Sequence, residues 1–395
     1  MAGNSYIFVV NPGSASRKYA LFCNGARTAN IHFELVDGKV VGNIESPDGK
    51  YSVKYSDGNL ANAPHRLLPL LEKHGIIDRD DKIIGIGVRI VAPSKQFTND
   101  QKITPKVLEN LDDLRQETPL HVKMVVLEIR HLMKRFPEVP IIGISDSMFH
   151  NSKPDYARYY PIDLKIADKF EIERYGFHGI SVGSVIEKLN SNHNLISKTV
   201  VCHLGSGCSV TAVLDGKSVE NTMGYSPLEG LMMSTRSGSI DVTATIVLQE
   251  KLKLTNIRLE QYLDKEAGLL GVSGSSDDIR QLIISEKNGN ERAKLALDMF
   301  VYKIQQSIGQ MASVMNGVGS LVFTGTVGER SDIIRKRVIK NLSYLDFIID
   351  NNLNKQTYEP KDIVNIASAE SKPILVVTTD EAGEIAKRTA IFLNK

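Results

Sequence analysis

The chain has 395 residues, of which 48 are Lys or Arg and 46 are Asp or Glu, a formal net charge of +2. A balance this close to neutral leaves no electrostatic footprint for nucleic acid or an anionic membrane surface and points to small-molecule partners. The length exceeds what one core usually fills and implies two domains, each able to bury a substantial interior. No stretch approaches the ~20 apolar residues of a membrane span, and the opening MAGNSYIFVV lacks a basic segment followed by a long apolar run, so the expected location is cytoplasmic. Cys23, Cys202 and Cys208 are odd in number and form no CxxC pair, which argues against a disulfide framework or a zinc site and for buried packing residues.

Along the chain, apolar strands alternate with helical periods, the pattern of an α/β protein. A strand at Tyr6–Val10 runs into NPGSASRK and returns as Arg17–Cys23, closed by the hairpin signal Asn24-Gly25. Alternate residues on a strand share a face, so Ser14, Ser16 and Lys18, with Asn11 before the turn, would point at one anion; a turn with a solvated lysine is the plainer alternative. A strand at Ile83–Val91 carries Arg89 among apolar residues, where an unpaired charge is costly, so it needs a structural carboxylate or an anionic substrate. The strand Pro140–Ser145 ends at Asp146, where ligands of α/β sheets collect; a helix N-cap is the competing role. A connector at NSKPD suggests domains of 1–150 and 151–381, with a helix at about 382–395 packed back on the first. No low-complexity linker separates them, so a shared interface with the site in its cleft is expected.

Past that boundary, RYGFHG places His178 in a tight turn, where a satisfied core histidine is as reasonable as a catalytic one. Strands at Thr199–His203 and Ser209–Leu214 then repeat the opening pattern. VVCHLGSGCSVTAVLDG (Val200 to Gly216) and VVNPGSASRKYALFCNG (Val9 to Gly25) each run from a strand through a Gly-Ser turn into a second strand and a hairpin signal. Two such hairpins would grip phosphate, because glycine admits close backbone approach and the serine adds a donor, and this points to phosphoryl transfer. Arg236, in MGYSPLEGLMMSTRSGSID, is expected just before a helix whose positive N-terminus would face a phosphate. Leu297, Val301, Ile304, Ile308, Met311 and Met315 form one stripe of a long helix ending near Asn316-Gly317 and read as core. Strands at Leu321–Thr324, leading into FTGTVGE, and at Pro373–Val377 precede Asp380 and Glu381, which start a helix and suit its dipole whatever else they do.

The ordered set NPGSASRK, RYGFHGIS, VCHLGSGCSVTA, MGYSPLEGLMMSTRSGSID, GVSGSSDDIR, FTGTVGER and TTDE spans essentially the full chain and resembles the acetate kinase family. The resemblance implies a duplicated ribonuclease-H-like α/β fold of the actin/sugar-kinase type, a homodimer, and reversible, Mg2+-dependent transfer of the ATP γ-phosphate to acetate. It places Arg89 and Arg236 on the acyl phosphate, His178 as donor to the phosphoryl in transit and His121 as its support. Asn11, Ser14, Ser16 and Lys18 fall on the first phosphate loop, and His203, Gly205, Ser206 and Gly207 on the second. Asp278, Arg280, Gly325, Thr326, Gly328 and Glu329 fall on the nucleotide site. Glu381 with Asn11 would hold Mg2+, or Mn2+ in its place, beside Asp146, and Val91, Leu120, Phe177 and Pro227 would surround the acetate methyl group. Acetate is already ionised at neutral pH, so direct in-line attack needs no general base.

Departures from the family pattern bear on the donor. Ala92-Pro93-Ser94 replaces His-Gly-Gly, Ser206 replaces Asn, and Gly325-Thr326-Val327-Gly328-Glu329-Arg330 replaces Gly-Gly-Ile-Gly-Glu-Asn. Propionate or another short acid as acceptor, pyrophosphate as donor, and a silent nucleotide- or acyl-phosphate-binding sensor are the alternatives.

Overall fold

The structure, a computed structural model, describes residues 3–12, 16–56, 58–78, 80–114 and 119–394, with the side chains of Ala61 and of residues 119–121 outside that description. The chain divides into two compact units: Met1–Met148 together with Asp380–Lys395, and Phe149–Thr379.

In the first unit β1 (Ser5–Pro12), β2 (Ser16–Cys23), β3 (Ala26–Val36), β4 (Lys39–Ser46), β5 (Gly49–Tyr55), β6 (Lys82–Ile90), β7 (Gln101–Lys102) and β8 (Ile141–Ser145) form one sheet, ordered β5-β4-β3-β2-β1-β6-β8-β7. The run β1 to β5 is an antiparallel meander, whereas β6 and β8 join β1 in parallel. Asn24-Gly25 and Asp37-Gly38 close two of the hairpins with positive φ at both residues, the backbone that Asn-Gly and Asp-Gly adopt at least cost. Phe8, Leu21, Ile31, Phe33, Leu67, Val88 and Val126 belong to the core.

The second unit holds β9 (Lys198–Leu204), β10 (Cys208–Leu214), β11 (Lys217–Asn221), β12 (Ser320–Thr324), β13 (Val364–Asn365) and β14 (Ile374–Val376), ordered β11-β10-β9-β12-β14-β13. Its β11-β10-β9-β12-β14 run repeats β3-β2-β1-β6-β8: two antiparallel pairings, then two parallel ones. The duplicated motif noted in the sequence thus falls on a duplicated topology, spanning β1 and β2 in one unit and β9 and β10 in the other. The expected methionine-bearing stripe lies on the helix Glu291–Val314 and just beyond it, and all six residues are buried. Asn316 and Gly317 follow it with positive φ, and the Gly317 N–H donates to the Ala312 carbonyl, ending the helix. Cys202 and Cys208 are buried free thiols, and burial pushes Cys208 up to about 12, so neither is an available nucleophile. Among the described residues no helix is long and apolar enough to cross a membrane.

The terminal helix, Glu381–Leu393, packs within the first unit although it is encoded last. The reason is written on β6. Gly85 and Gly87 leave one face of that strand bare, and Leu393, Thr389 and Ile385, four residues apart, lie directly on it. A Cβ on Gly87 would stand 2.1 Å from Thr389 Oγ1, and one on Gly85 2.4 Å from Leu393 Cδ1. The same spacing carries each element one step further, to Arg89 on the strand and Glu381 at the first turn of the helix.

Candidate active site

Arg89 follows Gly85 and Gly87 on one face of β6, near the carboxyl end of a parallel strand. Its Nε and one terminal nitrogen donate to the two oxygens of Asp146 at 3.1 and 2.9 Å, and its other terminal nitrogen lies 3.5 Å from Glu381 Oε2. That same Glu381 oxygen accepts from Asn11 Nδ2 at 3.0 Å. Burial alone would lower the Arg89 pKa, but the carboxylates of Asp146 and Glu381 outweigh it and hold the guanidinium firmly charged. Asp146 directly follows β8, is 1 % exposed, and is engaged with Arg89. Asp380, by contrast, is the N-cap of the terminal helix, accepting from the Gly383 N–H, and it pairs with Arg27. An arginine with both carboxylates on one guanidinium is a pre-charged cradle, and the fork keeps further N–H donors for an anion.

The segment expected to grip phosphate lies between β1 and β2, where Asn11 stands directly opposite Lys18 in the register. Lys18 is exposed and Ser16 half-buried, while Arg17 and Tyr19 on the opposite face bury against Glu128 at 3.2 and 2.5 Å. The alternation that hides Arg17 is what turns Ser16 and Lys18 outward. Ser14 lies outside the described residues, as do the side chains of Leu120 and His121. Val91 is half-buried just past β6.

In the second unit, Gly205, Ser206 and Gly207 turn β9 into β10, with Gly205 N–H donating to the Gly207 carbonyl at 3.0 Å. A Cβ on Gly207 would meet His178 Nε2 at 3.2 Å and an Arg236 terminal nitrogen at 3.5 Å, so the loop, the imidazole and the guanidinium are immediate neighbours. His178 has φ +63°, a left-handed backbone at the start of the helix Gly179–Ser191. Its Nδ1 meets Ser209 Oγ at 3.0 Å, and His203 Nδ1 meets Ser181 Oγ at 2.8 Å. The two rings lie with centroids 4.2 Å apart, and the Nε2 edge of His178 lies against the glycine turn. Arg236 is oriented by Asp264, whose carboxylate accepts from Nε at 2.6 Å and is 1 % exposed. Phe177 and Pro227 are buried in this unit.

The nucleotide-loop candidates fall into two groups. Asp278 caps the helix Ile279–Lys287 and holds the exposed Arg280 at 2.5 Å, and Thr326 and Arg330 are exposed, with Arg330 paired to Glu359 at 2.5 Å. Gly325 has φ +75°, and a Cβ there would lie 2.7 Å from the Leu204 carbonyl, so only glycine fits where β12 turns beside the end of β9. Glu329 points inward instead. One of its oxygens accepts from Gly325 N–H at 2.8 Å, Thr379 N–H at 3.1 Å and Thr324 Oγ1 at 3.3 Å, and burial raises its pKa. It shapes the turn from behind. The helix expected just after Arg236 is displaced: it begins at Val242, and Asp241 caps it through the Ala244 N–H at 3.1 Å. A carboxylate thus already occupies that N-terminus, which removes the reason to place a phosphate there.

Three further residues matter. Asp264 sits in an ordinary helical stretch with no motif, while Ser181 and Ser209 fall within RYGFHGIS and VCHLGSGCSVTA with nothing to single them out; only their contacts with Arg236, His203 and His178 reveal them.

Two α/β sheets of matching topology, in two units that each hold an arginine on a buried carboxylate, define a phosphotransferase architecture. The chain belongs to the acetokinase family, whose model matches residues 6–387. It is 34 % identical over 398 residues to an acetate kinase of Clostridium botulinum strain 657, covering 97 % of this chain and 98 % of that one. It superposes on the crystal structure of Porphyromonas gingivalis acetate kinase with TM-score 0.86 and 31 % identity, covering 99 % and 100 % of the two chains. A propionate kinase from Francisella tularensis matches with TM-score 0.89 and 31 % identity over 98 % and 99 %. The fold is accordingly that of the actin/sugar-kinase type, with two domains.

Proposed function

We propose that this protein is an acetate kinase, catalysing reversible transfer of the ATP γ-phosphate to acetate. The observation that carries the reading is the Arg89 cradle, in which one guanidinium engages Asp146 and lies beside Glu381 at the carboxyl ends of parallel strands. That arrangement suits a reaction whose catalysis is positioning and charge neutralisation. Arg89 and Arg236 would neutralise the phosphoryl oxygens, with their rigid forks matched to phosphate geometry. His178, its Nδ1 fixed by Ser209, would donate from Nε2, and His121 would support it. The loops carrying Asn11, Ser14, Ser16 and Lys18, and His203, Gly205, Ser206 and Gly207, would hold phosphates, while Asp278, Arg280, Gly325, Thr326 and Gly328 would receive the nucleoside. Val91, Leu120, Phe177 and Pro227 would bound the methyl group. Size discrimination there is modest, since one methylene is worth about 1–3 kcal/mol.

Carboxylate and amide oxygens of Glu381 and Asn11, with Asp146 nearby, suit Mg2+, which takes one or two carboxylates and completes its shell with water and phosphate. Among the described residues no group of three or more His, Cys, Asp or Glu is placed to hold a metal ion by itself. The metal would supply neutralising charge on the nucleotide phosphates. Acetate attacks as a carboxylate, so Asp146 acts as an electrostatic partner and no proton needs removing. A cytoplasmic homodimer is the assembly this reading carries.

The test is acetyl phosphate formation by purified protein with Mg2+, trapped as the hydroxamate, with ATP, GTP or pyrophosphate as donor and acetate or propionate as acceptor. ATP- and acetate-dependent product that Arg236→Ala abolishes is expected. Product only with pyrophosphate or only with propionate moves the corresponding assignment, and no product with any pair, alongside intact nucleotide binding, favours a sensor.

A further inference from the structure

Behind the Arg89 cradle lies a second charged pair that the reaction itself does not require. Asp100 and Arg388 are both largely buried: Arg388 is 8 % exposed, and its Nε donates to Asp100 Oδ2 at 2.9 Å while a terminal nitrogen also reaches Oδ1. Both members close on a single residue, one on each of the two peptides that flank its Cα. Asp100 Oδ1 accepts from the Ser145 N–H at 2.9 Å, and Arg388 donates to the Ser145 carbonyl at 3.0 Å. The Ser145 hydroxyl is tied down as well, donating to the Phe97 carbonyl at 2.7 Å.

Ser145 directly precedes Asp146, and Arg388 sits seven residues, about two turns, after Glu381 on the same helix. The contacts therefore close a ring: Glu381 to Arg89, Arg89 to Asp146, one peptide back to Ser145, Ser145 to Arg388, and along the helix to Glu381 again. A buried ion pair removed from water is a weak source of stability, so its retention here calls for another account. Gripping both the N–H and the C=O of one residue fixes the plane and height of the following carboxylate, as outer partners fix a metal ligand.

We propose that Asp100 and Arg388 are positioning residues that lock Asp146 and Glu381 at a fixed separation through Ser145. The proposal rests on the reading of those two carboxylates as the metal and acetate partners. Losing either member lets the end of β8 and the terminal helix drift independently, loosening the metal and slowing transfer while acetate binding in its apolar pocket changes little.

The experiment uses the full chain with Asp100→Asn, Arg388→Met, Arg388→Lys, the Asp100→Asn/Arg388→Met double variant, and Val126→Ala as a core truncation in the helix Pro119–Arg135. Five quantities are measured: thermal stability, kcat, KM for acetate, Mn2+ binding by electron paramagnetic resonance, and amide exchange at Ser145 in ligand-free protein. For the single variants kcat falls about 10- to 100-fold with KM changed less than about threefold, and Mn2+ binding weakens about tenfold or more. Ser145 exchange quickens by a similar factor, and Arg388→Lys retains more activity than Arg388→Met. The double variant decides the matter. Removing both charges restores stability, because no charge is left orphaned, but turnover and Mn2+ binding stay low because the hold of Arg388 on the Ser145 carbonyl is gone. A double variant that regains wild-type turnover and Mn2+ binding overturns the proposal, as does an equal fall in kcat for a Val126→Ala protein of matched stability. The exchange and Mn2+ arms need no acetate, so they report on the lock even if the substrate proves to be another acid.

Discussion

Substituting Gly87 by alanine should unseat the terminal helix and, through it, Glu381, the carboxylate proposed to hold Mg2+. The added Cβ would lie 2.1 Å from Thr389 Oγ1 and 2.8 Å from Ile385 Cγ2. Restoring ordinary contact requires the helix to retreat by about 1 Å, because a close-packed interior has no slack to absorb the methyl group. Overpacking of this kind costs about 1–3 kcal/mol, which lowers the unfolding midpoint by roughly 2–4 °C per kcal/mol. The Arg89–Glu381 separation, 3.5 Å, would pass beyond ion-pair contact, so the Mg2+ concentration needed for half-maximal acetyl phosphate formation should rise. Thermal unfolding and a Mg2+ titration on the same preparations measure both effects. Thr389→Ala added to Gly87→Ala removes the closest obstacle, leaving its Cβ at 3.4 Å with Ile385 Cγ2 still at 2.8 Å, and should recover part of each loss. A Gly87→Ala protein with unchanged stability and Mg2+ dependence, or one that Thr389→Ala does not rescue, would refute the docking argument.

Asp264→Asn should leave Arg236 without its buried carboxylate, reducing stability by about 3 kcal/mol and acetyl phosphate formation by more than tenfold. Lys265→Met, which removes only the more exposed partner, should cost under about 1 kcal/mol; denaturant unfolding and the hydroxamate assay check both. Thr326→Gly restores a glycine in the nucleotide loop and should lower KM for ATP several-fold without changing KM for acetate. Steady-state kinetics with ATP and pyrophosphate in parallel test it, and a selective gain for pyrophosphate would contradict it. Lys153 is buried, donates to the Arg174 carbonyl at 2.6 Å, and burial lowers its pKa from 10.5 to about 8. Between those values the unfolded chain binds the extra proton, so stability lost as pH falls from 10.5 towards 8 should be absent in Lys153→Met. The two proteins' unfolding free energies should diverge across that window by at most about 3 kcal/mol, read from denaturant titrations at pH 8 and 10.

Much of the parallel core was legible from the chain because buried parallel strands are continuous apolar runs: β1, β6, β8, β9 and β12 announce themselves as VV, II and LVF segments. β3, β4 and β5 escaped notice because their exposed faces break every run, as the alternating burial of GKYSVKY shows. Arg89 and Asp146 each signalled a need, a charge in an apolar strand and a carboxylate at a strand end, but not that each answers the other. That pairing is a contact 57 residues apart, and no local pattern encodes it. The helix expected after Arg236 failed for a local reason: Gly238, with φ +71°, directs the chain away, and Asp241 sets the cap further on. Glu329 shows the opposite limit. Its position fits the loop, but which way the carboxylate turns is decided by three donors gathered from Gly325, Thr324 and Thr379.

The terminal helix also sets an order of events during synthesis. β6, with its bare Gly85–Gly87 face, emerges from the ribosome some 300 residues before the Ile385, Thr389 and Leu393 that cover it. The whole of the second unit is made in between and can complete its own sheet first. The first unit thus waits with an open strand face until the helix Glu381–Leu393 has emerged. A chain cut short by even two turns would keep Arg89 and Asp146 yet lack the lid on β6, and would be a substrate for chaperones or proteases rather than a slower enzyme.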